Sequence, residues 1–452
     1  MNELFDMFDS VSSKEWKNKI QYDLKGADYN DSVVWSSHEG IDVKPFYHSD
    51  DIFITRNLTA DNSYQISQQI YAAKLKKTLK RIRQAFDGGA NHIHLIISEE
   101  QHGNTSEFIK VINSLDASAL IEFEKIPNDS AETVFGNSLS EQIHVGIDII
   151  GHLAQSGNWY YSLEADHDIL GTYIKKATEK DSVISIGIDI YQNAGANSIQ
   201  QLAYALAHVN EYLNHYQSEW NLIPTFKLAI GSNYFFEIAK IRAVRLLWQT
   251  LADEYGVNPE CRIFATPSKR NKTIYDYNNN MIRTTMECMS GILGGADVIC
   301  NFPYDGLYHK YNEFGSRISR NQPLILKHES YFDRVSNPAE GSYYIESLTS
   351  SMANGALELF KEIERQGGMV KQLFSGNIQR KIRESGDKEQ ELFNASELVL
   401  IGTNRYPNTK DKMEDELQLF PFVKTKKRKT LIEPIIGKRL AEAYEKERLE
   451  NE

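Results

Sequence analysis

Short runs of aliphatic and β-branched residues recur through this chain, each followed by a stretch with helical spacing. That alternation limits the folds open to it more than any other feature. The runs are HIHLIIS from His92, ALIEFE from Ala119, IHVGIDIIG from Ile143, VISIGIDI from Val183, FKLAIG from Phe226, CRIFAT from Cys261 and DVICNF from Asp297. Their starts lie roughly 25 to 43 residues apart, room for one strand, one helix and two loops each time. Several are apolar on both faces, as strands covered on both sides should be.

Helical patterns fill the gaps. Ile199, Leu202, Leu206, Val209 and Leu213 share one face, as do Ile241, Val244, Trp248 and Leu251, and then Ile282, Met286, Met289 and Leu293. LVLIGTN from Leu398 is the candidate for an eighth strand. Serial βα units of this kind predict an α/β fold, a (β/α)8 TIM-type barrel over residues 76–405, with a doubly wound open sheet as the alternative. Residues 1–75 lack the alternation. They carry aromatic anchors (Trp16, Tyr22, Trp35, Phe46, Tyr47) between polar turns, which suits an extended arm lying on a partner or on the chain's own barrel. Residues 406–452 turn polar, pass through the basic run KTKKRK (Lys424 to Lys429) and end in an amphipathic helix. That basic run reads first as a solvated linker and second as a binding site.

Composition excludes some partners. With 50 Lys and Arg against 62 Asp and Glu, the net charge is −12. This balance gives no attraction to nucleic acid or to anionic membranes, and an anionic substrate would need a local basic patch. No apolar run approaches the ~20 residues of a membrane span, and the start resembles no signal peptide, so a cytoplasmic protein is expected. Cys261, Cys288 and Cys300 show no pairing pattern and read as buried thiols.

In a barrel, chemistry belongs at the C-terminal ends of the strands. The residues due there are Asp189 to Asn193, Gly231 to Asn233, Thr266 to Arg270 and Asn301 to Asp305, and they form no recognisable catalytic set. His92 and His94 alternate on one strand face without a third metal ligand in view. GILGG (Gly291 to Gly295) ends a helix and reads as a cap rather than a phosphate loop. PSKRNK offers Lys269, Arg270 and Lys272 at a strand end. It could hold an anion, pair with an acidic partner or be solvated, and solvation is the default.

Several longer motifs resemble the coenzyme B12-dependent acyl-CoA mutase family, above all methylmalonyl-CoA mutase. They are NYFFEIAKIRAVRLLW (Asn233 to Trp248), NNNMIRTTMECMSGILGG (Asn278 to Gly295), NAGA (Asn193 to Ala196) with NEYL from Asn210, and NPAEGSYYIESLT from Asn337. ERQGGM from Glu364 and IGTNRY from Ile401 extend the likeness, which covers about residues 180 to 405. DLKGADYNDSVVW from Asp23, HEGIDVKPFYHSDD from His38 and DIIGHLAQSGNWY from Asp148 resemble more specifically the family's small, non-catalytic (beta) subunit.

The departures from the family pattern matter as much. Where its catalytic members carry a histidine that approaches the thioester carbonyl, ATPSKRN here presents Pro267, which has no proton to offer. In IDIYQNAGA, Ile190 stands in place of a second histidine and Asn193 in place of a glutamate. The catalytic members' arginine-rich early segment has no counterpart. The DxHxxG motif of the cobalamin domain is absent; ADHDILG at Ala165 has the wrong spacing, and nothing is expected to cap the barrel. The resemblance therefore implies no catalytic, cofactor-binding or metal residues on this chain. It implies the small subunit of a heterodimer whose large subunit carries adenosylcobalamin and interconverts methylmalonyl-CoA and succinyl-CoA. Two alternatives remain: a divergent acyl-CoA mutase that borrows a separate cobalamin-binding chain, and a non-catalytic acyl-CoA or chaperone scaffold.

Overall fold

The computed structural model describes residues 9–51, 63–128, 130–135, 142–424 and 428–452. Eight parallel strands form its centre: β1 (Gln65–Ala72), β2 (His92–Ile97), β3 (Ser118–Phe123), β4 (Ile143–Gly146), β5 (Ser185–Gly187), β6 (Thr225–Ile230), β7 (Arg262–Pro267) and β8 (Val298–Cys300). Each pairs with the next in chain order, and β8 returns to β1 through Cys300 and Ser67. The seam between β4 and β5 is a bridge between Ile147 and Ile184, with the Val145 N–H donating to the Ser182 carbonyl at 2.9 Å. The sheet closes on itself, so the chain is a (β/α)8 barrel with helices outside.

The eighth strand is not where the sequence suggested. It is Gln65–Ala72, the first in the chain and inside the stretch read as an arm, whereas Leu398–Asn404 forms a turn. There the Asn404 side chain accepts from the Leu400 N–H and donates to the carbonyls of Phe393 and Leu398, and Gly402 takes a left-handed φ of 83°. A side chain that satisfies three backbone groups leaves no ladder to form.

Two of the three helical stripes pack as their spacing implies. Leu202, Leu206, Val209 and Leu213 on helix Ser198–Tyr216 are buried, as are Ile241, Val244, Trp248 and Leu251 on helix Tyr234–Tyr255. Trp248 sits with Phe226 of β6 at 5.9 Å and Trp220 at 6.1 Å between ring centroids. The third stripe is split, with Met289 and Leu293 partly buried against the core and its other two residues turned out. On helix Asn279–Leu293 the exposed residues are Ile282 (63%) and Met286 (50%), while Asn280, Thr284, Glu287 and Cys288 are buried. Buried Lys272 explains this: its ammonium donates to both Glu287 carboxylate oxygens at 2.7 and 2.8 Å, so the helix turns its charged face inward.

The described part of the N-terminal segment has two characters. A short hairpin, Trp35–Ser36 with Asp42–Val43, rests on the chain's own barrel through Ile41, the Trp35–Phe236 ring pair and Glu39, which accepts the Ser198 N–H. Helix Ser13–Asp23, by contrast, buries none of its residues.

The C-terminal segment folds back across the strand ends as a strap. The Leu431 N–H donates to Gly157 O at 2.9 Å, Ile435 to Ala154 O at 2.7 Å, Lys438 to Asn193 O at 2.9 Å and Leu440 to Arg270 O at 2.9 Å. The barrel mouth is therefore capped by the chain itself, contrary to expectation. Thr425 to Lys427, the middle of the basic run, lie outside the described residues. Arg439 and Glu445, both buried, pair beneath the strap, and Glu445 also accepts the Ile274 N–H at 2.8 Å. Removing one partner of such a pair strands the other charge. Glu445→Ala is expected to cost about 3–5 kcal/mol in urea unfolding and to speed proteolysis of the strap.

Candidate functional site

Alternate residues of the strands point into the barrel and fill it in layers. Leu120, Phe264, Val298 and Cys300 pack against one another and block the axis. Beside them, the His92 ring contacts Ser67 Oγ at 2.9 Å. Above this plug lies a charged layer. Lys227 of β6 donates to Glu122 Oε1 of β3 at 2.6 Å, and His94 Nε2 of β2 meets Glu122 Oε2 at 2.7 Å. Gln69 of β1 approaches His94 Nδ1 at 3.2 Å, which leaves the ring proton on the nitrogen facing Glu122. Burial alone would raise Glu122, but Lys227 and His94 outweigh it and hold its carboxyl well below the usual range. Burial works against the charge on Lys227 too, and Glu122 and Asp189 more than compensate, raising it.

On this floor stands a cavity of about 810 Å³, roofed by strap residues including Phe422, Arg428, Ile435 and Lys438. Its wall at the end of β4 is Asp148, whose carboxylate accepts from the Gly151 and Gly187 N–H groups at 2.7 and 2.9 Å, His208 Nε2 at 2.8 Å and Tyr212 at 3.0 Å. Burial pushes Asp148 up, but His208 and these donors prevail and lower it. One turn on, His152 stacks on Tyr160 at 3.6 Å between centroids and faces the cavity. Burial lowers its imidazole to about 4, against the pull of Asp148.

The strand-end residues singled out from sequence divide among three places. Asp189, Ile190, Asn193, Thr266, Pro267, Lys269, Arg270 and Phe302 line the cavity, with Pro267 and Ile190 on its apolar wall. Gly231 to Asn233 face a second cavity of about 360 Å³ under the N-terminal hairpin. Asn301 and Asp305 are committed elsewhere: Asn301 donates to Ser319 O and Gln322 Oε1, both at 2.8 Å, and Asp305 accepts from Asn312 at 2.7 Å.

Solvation of PSKRNK is overturned. Lys272 is fully buried with Glu287, and Arg270 is buried, paired with Glu389 and donating to the carbonyls of Lys438 and Gly386. Burial raises Glu287 to about 7, the Lys272 charge opposing that rise. Lys269 lines the cavity beside Arg270, its ammonium 5.4 Å from the Phe302 ring centroid. The cysteines are free and buried; burial pushes the Cys261 and Cys300 thiols up to about 12. Among the described residues no three His, Cys, Asp or Glu side chains are placed to hold a metal ion, and no helix is long and apolar enough to cross a membrane.

Sequence reading missed Glu122, Lys227, Asp148 and His152. The first two had a signal: each is the lone charge of a largely apolar strand, SALIEF and TFKLAI. His152 had none, since only the closing of the barrel brings it to the mouth.

With this geometry in hand, comparison with known proteins places the chain. The methylmalonyl-CoA mutase family model matches residues 134–448, and the chain belongs to that family. It is 29% identical to a protein of Porphyromonas gingivalis named methylmalonyl-CoA mutase small subunit, over 92% of this chain and 73% of that one. To the methylmalonyl-CoA mutase of Cereibacter sphaeroides it is 28% identical over 88% of this chain, and it spans 64% of that protein's length. Among solved structures, dihydropteroate synthase of Thermus thermophilus aligns with 60% of this chain and 99% of its own at 11% identity and a TM-score of 0.33, too low to bear on function.

A pH dependence follows from the barrel interior. Burial lowers His144 to about 3, with Arg262 adding to the effect. Because its folded value lies below its unfolded one, the unfolded chain takes up a proton first, and this contribution is lost as pH falls from about 6.5 to 3. Between pH 7 and 5 it amounts to about 2 kcal/mol. His144→Gln is expected to remove that share of the pH 7-to-5 loss in unfolding free energy, measured by urea titration at both pH values.

Proposed function

We propose that this chain is the small, non-catalytic subunit of a heterodimeric methylmalonyl-CoA mutase. Its partner would be a large subunit that binds adenosylcobalamin and interconverts methylmalonyl-CoA and succinyl-CoA by radical chemistry. The observation that carries this reading is the mouth wall: Pro267 and Ile190 line it where the family's imidazoles belong. Neither side chain can donate to a developing oxyanion or hold a proton. The P. gingivalis relative's name supports it too.

The residues of this mouth do not fit a corrinoid. Such a macrocycle needs a free face over the strand ends, and strap backbone is hydrogen-bonded to Ala154, Gly157, Asn193 and Arg270 across that face. We therefore assign adenosylcobalamin to the large subunit. On this reading the unburied helix Ser13–Asp23, the exposed Trp16 and Tyr22, and the outward stripe of Ile282 and Met286 are surfaces for a partner chain rather than for solvent. The expected result is a one-to-one complex with the large subunit and no mutase turnover by this chain alone with adenosylcobalamin and methylmalonyl-CoA.

One observation favours the rival reading of a divergent mutase that borrows a cobalamin-binding chain. His152 does reach the mouth, and with Pro267 and Ile190 it borders one cavity. Assay of this chain with a separate cobalamin-binding chain decides between them. Turnover there that is abolished by His152→Ala would overturn the non-catalytic assignment.

A further inference from the structure

Outside the barrel, cations gather on one helix of an otherwise acidic chain. Helix Leu75–Asp87 carries Lys76, Lys77, Lys80, Arg81 and Arg83, follows directly on Lys74, and has no acid before its terminal Asp87. Among the described residues none of these cations makes an ion pair. Like charges so crowded repel one another unless an anion sits among them. Between this helix and helix Glu313–His328 runs a cleft of about 310 Å³, which brings Arg81 together with Arg317 and Arg320. Arg320 is built into it. Its Nε donates to the Gly88 carbonyl at 2.9 Å and its Nη1 to Gln68 Oε1 at 3.3 Å, and Nη2 has no partner among the described residues. Gly88 makes that seat, since a Cβ there would overlap the guanidinium. Arg81 stands over the Tyr311 ring, 3.8 Å from its centroid, and its guanidinium donates no hydrogen bond within the described residues.

We propose that this cleft binds a polyphosphate anion, either a free phosphate chain or the phosphate end of a nucleotide, held by Arg81, Arg317 and Arg320 with Lys77. Guanidinium selects the class, because its planar fork of donors matches phosphate oxygens two at a time. Lys77 lies on the Arg81 face of its helix, one turn earlier, and is exposed. Asp87 and Glu313 also line the cleft, but neither pairs with a guanidinium, and Glu313 accepts from Gln84 at 3.4 Å. Four cations against two carboxylates suit a ligand with several charges better than a lone orthophosphate. Burial disfavours the charge on Arg320, Tyr311 opposing that effect and Arg317 adding to it, and a phosphate chain between the two guanidiniums relieves both costs. The narrow cleft admits a few phosphates end to end and not a nucleic-acid duplex.

The cleft lies between two outer helices, so this inference stands or falls apart from the subunit assignment. Tripolyphosphate, ATP, orthophosphate and a single-stranded RNA are titrated calorimetrically into the full chain at ~0.15 M salt, where diffuse attraction is screened. Circular dichroism confirms that each variant folds. The expected result is saturable one-to-one binding of tripolyphosphate, weakened about tenfold by Arg320→Ala and by Arg81→Ala. Arg320→Lys keeps part of the affinity, Gly88→Ala loses it by displacing Arg320, and Lys175→Ala on another helix leaves it unchanged. ATP binding tighter than tripolyphosphate assigns the site to a nucleotide, and equal or weaker binding assigns it to a free phosphate chain. No saturable binding of tripolyphosphate or ATP overturns the proposal. So does unchanged affinity in both arginine-to-alanine variants, an equal loss in Lys175→Ala, orthophosphate as tight as tripolyphosphate, or RNA tighter than both.

Discussion

The ion pair between Lys227 and Glu122 joins β6 to β3 across the inside of the barrel, and the rest of the site depends on it. Two charges removed from water are tolerated there because each satisfies the other at 2.6 Å and His94 takes the remaining carboxylate oxygen. Neither charge could remain without its partner, so the three strands that carry them are held in one register. The pair also divides the interior. Below it, aromatic and aliphatic side chains pack the axis shut; above it, a polar chamber opens toward the strap. A hollow axis and a closed one differ here by a few side chains, chiefly Phe264 and Leu120.

Most of the barrel was legible because its strands are buried on both faces and its helices follow regular spacing. What escaped notice did so for physical reasons. In β1, QISQQIYA, the inward positions Ser67 and Gln69 serve the polar interior, so the strand lacks the apolar signature of its neighbours. The stripe on helix Asn279–Leu293 obeyed helical periodicity, yet its Ile282 and Met286 half faces outward, since buried Lys272 draws Glu287 inward instead. Periodicity identifies a face; it does not say which side is core when the core is charged.

The site divides along the same line. Pro267, Ile190 and Asn193 stand at the mouth where motif position placed them, because a strand end is fixed by local sequence. The fate of PSKRNK was not local. Glu389 and the backbone of Lys438, more than a hundred residues later, bury Arg270, while Glu287 from the next helix buries Lys272. No reading of the six residues alone distinguishes a buried cation from a solvated one. The solvated basic cluster expected at this strand end is instead largely an internal scaffold, Arg270 and Lys272 being buried in ion pairs.

The strap has a consequence for how the molecule is made. The backbone hydrogen bonds that roof the chamber come from residues 431–440, and the pair that locks them joins Arg439 of that stretch to Glu445 beyond it. During synthesis from the ribosome the strands and their inner charges are complete long before that roof exists. Through that interval the chamber stands open to the surrounding solution, so its last assembly step is also the moment at which access to it is decided.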